Sequence, residues 1–435
     1  MLTQYYRPED VKRNFRWGVL NGLLYITAET LLDPTLVIVA FLSHLTQSPL
    51  LLGLVVPMRD GAWSLPQLWM SGFMQSKPHK QTYYLRFGYI RIAAWIMIAL
   101  TINLVRDPAL LLVLFFAAYV LSSLSNGLTG LPFMELVAKT IPPERRGEFF
   151  AWRMGLGGVL GIGGSALVRW LLDTNGPLSF PYNFGALSIA FLVLGASSIF
   201  VLNALREPYD TNTLPAQNLP AQTRRAAEIV RGQPNYRRFL AMMSVMILSS
   251  SAAPFFAVYV QRVLGGSQAM IGYYLAAQTT ANLAATILFG RLSRRWGNGA
   301  VMALGLCSGI LMVGLVLGLV ALAGIRPVSG AEGAAWLVPV FMLLGIRNSG
   351  TGIAWNSLLL DIAPEQERSL YVGFTNTILG VVLLLTGLSG LIVKSYGYVA
   401  LFVFALLAHG AALWLGIGVI KATRPSQRES LEKVT

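Results

Sequence analysis

The feature that most constrains this chain is an apolar stretch near its start, residues 16–42, which carries polar side chains at a regular spacing. It is long enough to cross a bilayer as an α-helix. Its polar residues recur at every fourth position and therefore share one slowly drifting face: Asn21, Tyr25, Glu29 and Asp33. An ionisable side chain at the centre of a membrane costs roughly 2.5 to 3.5 kcal/mol, so this face has to meet protein or water rather than lipid. The stretch therefore predicts further helices packed around it.

The composition is that of an integral membrane protein. Of 435 residues, 55% are hydrophobic and only 12% are charged, whereas about 25% are charged in ordinary soluble domains. Apolar runs long enough to span a membrane begin near Arg16, Leu50, Phe87, Pro108, Phe149, Tyr182, Phe239, Ala269, Ala300, Ala334, Leu370 and Tyr398. We number these predicted helices 1 to 12. The alternating pattern of a membrane β-barrel is absent, so we expect an all-α fold.

The positions of lysine and arginine predict the orientation of the chain in the membrane. These residues cluster in the amino-terminal tail, in every second connection between helices and in the carboxyl-terminal tail. We therefore expect a multi-pass protein of the cell (inner) membrane with both termini in the cytoplasm. The net charge of +14 comes from these clusters. It indicates contact with anionic lipid head groups and not with nucleic acid.

Signatures of common enzymes and of resident cofactors are missing from the sequence. No GxxxxGK[ST], HExxH, CxxC or GxSxG motif occurs. Three histidines (His44, His79 and His409) are scattered, and Cys307 is the single cysteine, so neither a metal site nor an internal disulfide is indicated. We expect a protein that is not an enzyme and that holds no cofactor and no metal.

Features recur between the two halves of the chain at a shift of roughly 220 residues, which is typical of transporters built from two parallel repeats. Pro34 in helix 1 corresponds to Pro254 in helix 7, and IPPERRGE at residues 141–148 corresponds to IAPEQERS at residues 362–369. The repeat predicts two pseudo-symmetric bundles of six helices. The expected divisions are a first bundle over 1–205, a cytoplasmic linker with a short basic helix over 206–238, a second bundle over 239–420 and a cytoplasmic tail over 421–435.

Essentially the whole chain resembles the major facilitator superfamily in its twelve helices, cytoplasmic ends, central linker and six-plus-six repeat. The best local resemblance is GRLSRRWGN, which is similar to the loop motif of that family at Gly290, Arg295 and Gly297. The sequence departs from the motif at two places, because Arg294 occupies the acidic position and Asn298 the final basic position.

The resemblance implies a gate on the cytoplasmic side of the bundle. In the first half, the corresponding loop keeps only Gly72 and some basic residues. The candidate gate residues are Gly72, Arg146, Gly290, Arg294, Arg295, Gly297 and Arg368. Alternatively, the arginines only orient the helices by their positive charge.

The resemblance also implies that helices 1, 4, 7 and 10 line a central cavity for a substrate. These helices carry polar side chains near their middles, whereas helices 3, 6, 9 and 12 are nearly all apolar there. Candidate cavity residues are Asn21, Tyr25, Tyr119, Ser123, Asn126, Ser251, Tyr259, Asn348, Thr351 and Asn356. Alternatively, such hydroxyl and amide groups join helices, each bond being worth about 0.6 kcal/mol.

Charged residues within the predicted helices are candidates for proton coupling or for ion pairs. They are Glu29, Asp33, Arg59, Asp60 and Arg347. Counting 1.5 Å per residue from the helix ends places Glu29 and Arg347 at similar depths, so that they could pair. Three roles are possible for these charges. A carboxylate could take up a proton when a nearby arginine moves away, or Arg347 could bind an anionic substrate. Alternatively, the charges could form a fixed ion pair between helices.

Glycines are concentrated in helices 5 and 11. Helix 5 contains GLGGVLGIGG, and helix 11 carries Gly373, Gly380 and Gly387 at a spacing of seven residues. Because glycine lets helix backbones approach closely, both patterns predict tight helix contacts at an interface that moves.

The sequence as a whole predicts a secondary active transporter that moves a small organic solute by alternating access and draws on a proton gradient. An organic anion or an amphipathic compound fits Arg347 and the aromatic residues near the pathway. We expect a monomer whose partners are this solute, protons and lipid. The alternatives are an uncoupled facilitator, a membrane sensor or enzyme that retains the fold, and a channel.

Overall fold

The computed structural model of the protein describes residues 7–209, 219–364 and 367–432, and in these ranges it is helical with short connections and no strand. Helix 1 covers Pro8–Leu45 and helix 2 covers residues 49–75. The other helices of the first bundle are Lys80–Leu104, Pro108–Thr140, Pro143–Leu172 and Tyr182–Val201. The expected all-α membrane fold is confirmed.

The second bundle repeats this arrangement. Helices 7 to 10 are Pro234–Val263, Met270–Trp296, Asn298–Ile325 and Gly330–Ile362. Helix 11 begins at Arg368 and is continuous with helix 12 except for a break at Gly397, whose φ of 82° is a backbone conformation that favours glycine. Helix 12 continues to Glu432, so residues 421–432 extend this helix.

Nine helical stretches in the described ranges are long and apolar enough to cross a membrane. This number is consistent with twelve helices, because helices 2 and 8 are not among the nine and two other helices form a single stretch. Helices 11 and 12 count as one stretch, Leu370–Gly418. Helix 2 is divided into short pieces that begin at or near Pro49, Pro57 and Pro66. Helix 8 is less apolar, because Gln278, Thr279, Thr280 and Asn282 lie in its middle.

Helices 1 and 7 are interrupted at corresponding places, as their prolines predict. Proline lacks an N–H donor and disturbs the helix before it. Helix 1 breaks at Leu32 and Asp33 and restarts with a π-helical turn, Pro34–Ile38. Helix 7 contains a 3-10 turn, Ser250–Ala252, and its α-helix resumes at Ala253 with Pro254 in the first turn. The two bundles are therefore related in local structure as well as in helix order.

We call the side of the bundle that carries Pro8 and the start of helix 7 the terminal face, and the opposite side the far face. A cluster of hydrogen bonds joins the two bundles at the far face. Arg262 at the end of helix 7 donates to the carbonyl oxygen of Thr46 at 2.8 Å and to that of Ser43 at 3.3 Å. The Gln268 amide lies 3.1 Å from Nε2 of His44. In this conformation the far face is closed.

A linker helix, Leu219–Gly232, lies at the terminal face and packs on helices 2 and 11. Arg225 of this helix forms an ion pair with Glu367 at 2.8 Å. Its hydrogen bond to Glu367 and the charge of that carboxylate raise the pKa of the Arg225 guanidinium. The linker helix thus contacts both bundles. Residues 210–218 of the expected linker lie outside the described residues.

The glycines of helix 11 pack against helix 2, which confirms the predicted close contact. A Cβ added at Gly380 would lie 2.6 Å from Cβ of Ser64, and one added at Gly387 would lie 2.6 Å from Cδ2 of Leu54. In helix 5, Gly157 faces helix 1, where an added Cβ would lie 2.7 Å from Cβ of Ile26. Glycine thus permits close packing both between and within the bundles.

We expect Gly380→Ala to lower the free energy of unfolding by about 1 to 3 kcal/mol, because the added methyl group has to displace the side chain of Ser64. Equilibrium unfolding in mixed micelles measures this quantity. Gly314→Ala is the matched control, since no atom lies within 4 Å of a Cβ added there. Equal unfolding free energies for the two variants would contradict the tight contact between helices 2 and 11.

Candidate functional site

Three cavities in and beside the first bundle share one lining residue, Arg59. The arginine cavity, of about 370 Å³, is lined by Arg59, Arg91 and Arg153 among others. The interface cavity, of about 270 Å³, lies between helices 1, 2 and 5 of the first bundle and helix 8 of the second. The inner cavity, of about 40 Å³, lies within the first bundle. Arg59 is therefore the point at which these spaces meet.

Glu29 and Arg59 form an ion pair between helices 1 and 2. Their side chains are 23% and 31% exposed, which places the pair at the cavity wall. Asp60 lies next to it, with Oδ1 at 3.5 Å from Nη1 of Arg59. Arg59 thus lies between two carboxylates. Helix depth alone matched Glu29 with Arg347, but the structure pairs Glu29 with a residue of its own bundle.

Asp33 caps the second part of helix 1. One of its carboxylate oxygens accepts hydrogen bonds from the backbone N–H groups of Thr35 and Leu36, both at 2.9 Å. These are amides that the break at Pro34 leaves without helical partners. Asp33 also lines the interface cavity, on the same wall as Glu29. It therefore stabilises the helix break and exposes a negative charge between the bundles.

Arg91 of helix 3 is a buried cation that the sequence analysis did not single out. It is only 2% exposed. Its Nη1 donates to Oδ1 of Asn126 and, at 3.4 Å, to Oγ1 of Thr129. The guanidinium carbon lies 4.9 Å from the ring centre of Trp95. The expectation of an apolar middle for helix 3 is therefore wrong.

Arg153 of helix 5 is a second cation that the sequence analysis did not single out, and it is partly buried. Its Nη1 donates to the carbonyl oxygen of Gly18 at 2.8 Å and to Oδ1 of Asn21 at 2.6 Å. The guanidinium lies 4.4 Å from the ring centre of Phe133. Its side chain crosses helix 1 at Gly22, where a Cβ would collide with it. Arg91 and Arg153 each lie about 15 Å from the start of their helices in the structure at 1.5 Å per residue. They lie only about 6 Å from the starts predicted near Phe87 and Phe149, so a depth count from the sequence does not reveal them.

The other candidates of the first bundle lie around these charges. Asn126 donates to the hydroxyl of Tyr25 at 3.2 Å. Asn21 donates to the carbonyl oxygen of Ser198 at 2.6 Å, besides accepting from Arg153. Tyr119 and Ser123 line the inner cavity. The polar stripe of helix 1 thus faces neighbouring helices and the cavities.

The candidates of the second bundle pack within that bundle. Arg347 is 6% exposed, and it donates to Nε2 of His409 at 3.1 Å and to the carbonyl oxygen of Met246 at 3.2 Å. Asn348 and Thr351 form hydrogen bonds with Arg347. Tyr259 packs on the rings of Tyr398 and Phe402. Ser251 is buried. None of these residues lines the three cavities. The second bundle contributes to the cavities through helix 8, which forms one wall of the interface cavity. The side chain of Asn356 lies outside the described residues.

The candidate gate residues lie at the terminal face. Gly297 ends helix 8 with a φ of 83°, and Arg146 donates to the carbonyl oxygens of Ala138 and Ile141 at the end of helix 4. Gly72 is buried, whereas Gly290, Arg294 and Arg295 are exposed. Within the described ranges, Arg294 and Arg295 take part in no ion pair. The side chain of Arg368 lies outside the described residues.

Basic residues at the start of helix 3 and at the end of helix 4 pair with acids of their own bundle. Lys80 lies 2.9 Å from Glu135, and Lys139 lies 2.7 Å from Glu207. Glu207 also accepts from the backbone N–H groups of Lys80 and Gln81, both at 2.8 Å, at the start of helix 3. These contacts hold together the start of helix 3, the end of helix 4 and the segment that follows helix 6. They do not bridge the two bundles.

Comparisons with known proteins identify the fold. A sequence profile described as Major Facilitator Superfamily matches residues 18–387 and 239–434. No curated protein shows significant sequence similarity to the chain. A mutant of the nucleoside transporter NupG is similar with a TM-score of 0.67 and 13% sequence identity, over 94% of this chain and 99% of that chain. A D-xylose-proton symporter is similar with a TM-score of 0.67 and 13% identity, over 92% of this chain and 96% of that chain. A bacterial homologue of the iron transporter ferroportin in an outward-facing state is similar with a TM-score of 0.63 and 15% identity, over 94% of this chain and 100% of that chain.

We expect a strong energetic coupling between Glu29 and Arg59. A double-mutant cycle of Glu29→Gln and Arg59→Gln, measured by unfolding in mixed micelles, should give about 1 to 3 kcal/mol, because both charges lie at membrane depth. The control pair is Arg145 and Glu148, whose side chains are 40% and 48% exposed. That pair should couple by less than about 1 kcal/mol. Equal coupling in the two pairs would contradict the special position of Glu29 and Arg59.

Proposed function

Because the chain belongs to the Major Facilitator Superfamily, we propose that it is a secondary active transporter that moves a small organic solute across the membrane by alternating access. The observation that carries the proposal is the Glu29–Arg59 pair, which lies at membrane depth where cavities of the first bundle meet the space between the bundles. Ionisable side chains in lipid-spanning helices are energetically costly. Where they occur, they usually pair with one another and line a pathway for a substrate or for protons. The protein itself is a multi-pass integral membrane protein.

The contacts between the bundles support a conformation that is open toward the terminal face. Arg262 and Gln268 close the far face. The arginine cavity reaches toward the terminal face, since Met134 near the end of helix 4 lines it and is 52% exposed. With the proposed cytoplasmic location of the termini, this is an inward-facing state. Rocking of the bundles would open the far face and bring the ends of helices 5 and 8 together.

In that second state we assign a gating role to the exposed arginines of helix 8. Arg294 and Arg295 carry positive charge at the terminal face, where helix 5 begins with Glu144, which is in no ion pair among the described residues, and with Glu148, which pairs with Arg145. Closure of this face would bring charges of opposite sign together and stabilise the outward-facing state. The gate would then form in only one of the two states, as alternating access requires.

Proton coupling follows from the position of Arg59 between two carboxylates. When Glu29 is ionised, Arg59 binds it. When Glu29 takes up a proton, this attraction is lost, and Asp60 is the charge that remains beside Arg59. Arg59 and the π-helical turn Pro57–Gly61 that carries it can then change position. A proton on Glu29 would thereby alter the wall shared by all three cavities.

We expect Glu29→Gln to abolish uphill uptake driven by a pH gradient while leaving downhill exchange intact, because glutamine mimics the protonated carboxyl group permanently. The measurement is flux into proteoliposomes with a panel of organic anions, organic cations and amphipathic drugs. Glu9→Gln is the control, since Glu9 is exposed at the terminal face and lines none of the three cavities.

Three outcomes would overturn parts of this proposal. If Glu29→Gln still concentrates the solute as wild type does, Glu29 is not the coupling site. If wild type moves a solute only down its gradient, the protein is an uncoupled facilitator. If wild type moves no member of the panel in either direction, transport of a small organic solute is contradicted.

A further inference from the structure

The charges that line the arginine cavity do not balance. Three guanidinium groups, those of Arg59, Arg91 and Arg153, and one carboxylate, that of Asp60, line it, which leaves an excess of two positive charges. Glu29 is not part of this lining but binds Arg59, and counting it leaves an excess of one positive charge. Uncompensated charge at membrane depth is costly. The cavity therefore favours a ligand that brings negative charge.

Arg91 and Arg153 are the cations of this cavity that no described carboxylate pairs with, because Glu29 and Asp60 both contact Arg59. Both are held only by neutral acceptors in the described part of the chain: Asn126 and Thr129 for Arg91, and Asn21 and the Gly18 carbonyl oxygen for Arg153. Neither forms an ion pair with a described carboxylate. The Nε of Arg91 is buried, and no described group accepts its hydrogen. These are donors of the kind that bind carboxylate, sulfonate or phosphate groups in a forked geometry.

The arginine cavity also has aromatic residues in its walls. Tyr25, Trp63, Tyr84 and Phe133 line it together with the arginines. The neutral bonds orient both guanidinium groups, because Asn126 is bonded to Tyr25 and Asn21 to the backbone of helix 6. The rings lie next to the cations, since the guanidinium carbon of Arg91 is 5.6 Å from the ring centre of Tyr25 and that of Arg153 is 4.4 Å from the ring centre of Phe133. A lining of cations and rings suits a ligand with an anionic head and a flat apolar body. A volume of about 370 Å³ corresponds to a small organic molecule.

We propose that Arg91 and Arg153 form the anion subsite of the transported solute, which is a small aromatic or otherwise amphipathic organic anion. The inference rests on the proposed transport function and names its substrate class. It places anion binding in the first bundle, on residues of helices 3 and 5. Arg347 is excluded from this subsite because it is bonded to His409 within the second bundle and lines none of the three cavities.

Equilibrium binding to the purified full-length protein tests the proposal without requiring transport. The probes are naphthalene carboxylate, sulfonate and phosphonate, with naphthalene carboxamide as the neutral analogue and naphthylmethylammonium as the cation. We expect at least one anion to bind about tenfold or more tightly than the carboxamide, since hydrogen bonds to charged groups are worth about 1.5 to 3 kcal/mol. Equal binding of the anions and the carboxamide, or no binding of any anion, would overturn the assignment.

Substitutions locate the subsite. Arg91→Gln and Arg153→Gln should each weaken anion binding by about tenfold and leave binding of the carboxamide unchanged. Arg91→Lys keeps the charge and should lose less. Arg86→Gln is the matched control, because Arg86 is an exposed arginine of the same helix 3 and lines none of the three cavities. Unchanged anion affinity in both glutamine variants would show that the anion binds elsewhere.

A cysteine at Gly130 provides a measurement that depends on no particular ligand. Gly130 lines the arginine cavity, and a Cβ added there comes no closer than 3.4 Å to another residue. After Cys307→Ser, the cysteine of Gly130→Cys should react faster with anionic sulfonatoethyl methanethiosulfonate than with its cationic trimethylammonium analogue, relative to a free thiol. Arg153→Gln should reduce this preference. Equal relative rates would contradict a positive cavity even if the binding variants failed to fold.

The outcomes separate this proposal from the transport proposal. If organic anions bind and depend on Arg91 and Arg153 but no anion crosses a proteoliposome membrane, the subsite stands and transport fails. If a neutral or cationic solute is transported and the anions neither bind nor compete, transport stands and the anion subsite fails.

Discussion

The structure depends on the cost of placing charge in a membrane. Each ionisable side chain in the helix middles has to find a partner, and the first bundle solves this by turning the polar face of helix 1 toward helices 2 to 6. Glu29 binds Arg59, and Asn21 binds Arg153. Most of these contacts join different helices, so the same interactions that remove charge from lipid also fix the bundle. The two bundles differ in this respect, because the second holds its buried cation, Arg347, away from the cavities.

Breaks in the helices make this arrangement adaptable. Helix 1 is interrupted at Asp33, and helix 2 contains a π-helical turn that carries both Arg59 and Asp60. Such turns have weaker hydrogen bonding than a regular α-helix, so the residues they carry can move with little loss of structure. Helix 2 also packs closely on the glycines of helix 11. In the proposed mechanism, a change in the charge of Glu29 would therefore act on a helix of the first bundle that packs directly against the second.

The sequence predicts the fold well because its main signals are local. Apolar length, basic loops and the corresponding prolines at 34 and 254 suffice for the helix order and the repeat. The site was predicted only in part. Glu29, Arg59 and Asp60 were found as charges, but depth alone could not decide the partner of Glu29, since pairing depends on how helices rotate. Arg91 and Arg153 were missed because they follow basic loops and resemble orientation signals.

The central claim is that two bundles alternate between closure at the far face and closure at the terminal face. Distances between spin labels test it most directly, with one pair at Gln47 and Val263 and a second at Gly147 and Trp296, after replacement of the native cysteine. We expect Arg262→Ala to lengthen the first distance and to shorten the second, because it removes the hydrogen bonds that close the far face. A single unchanged population in both pairs would contradict alternating access.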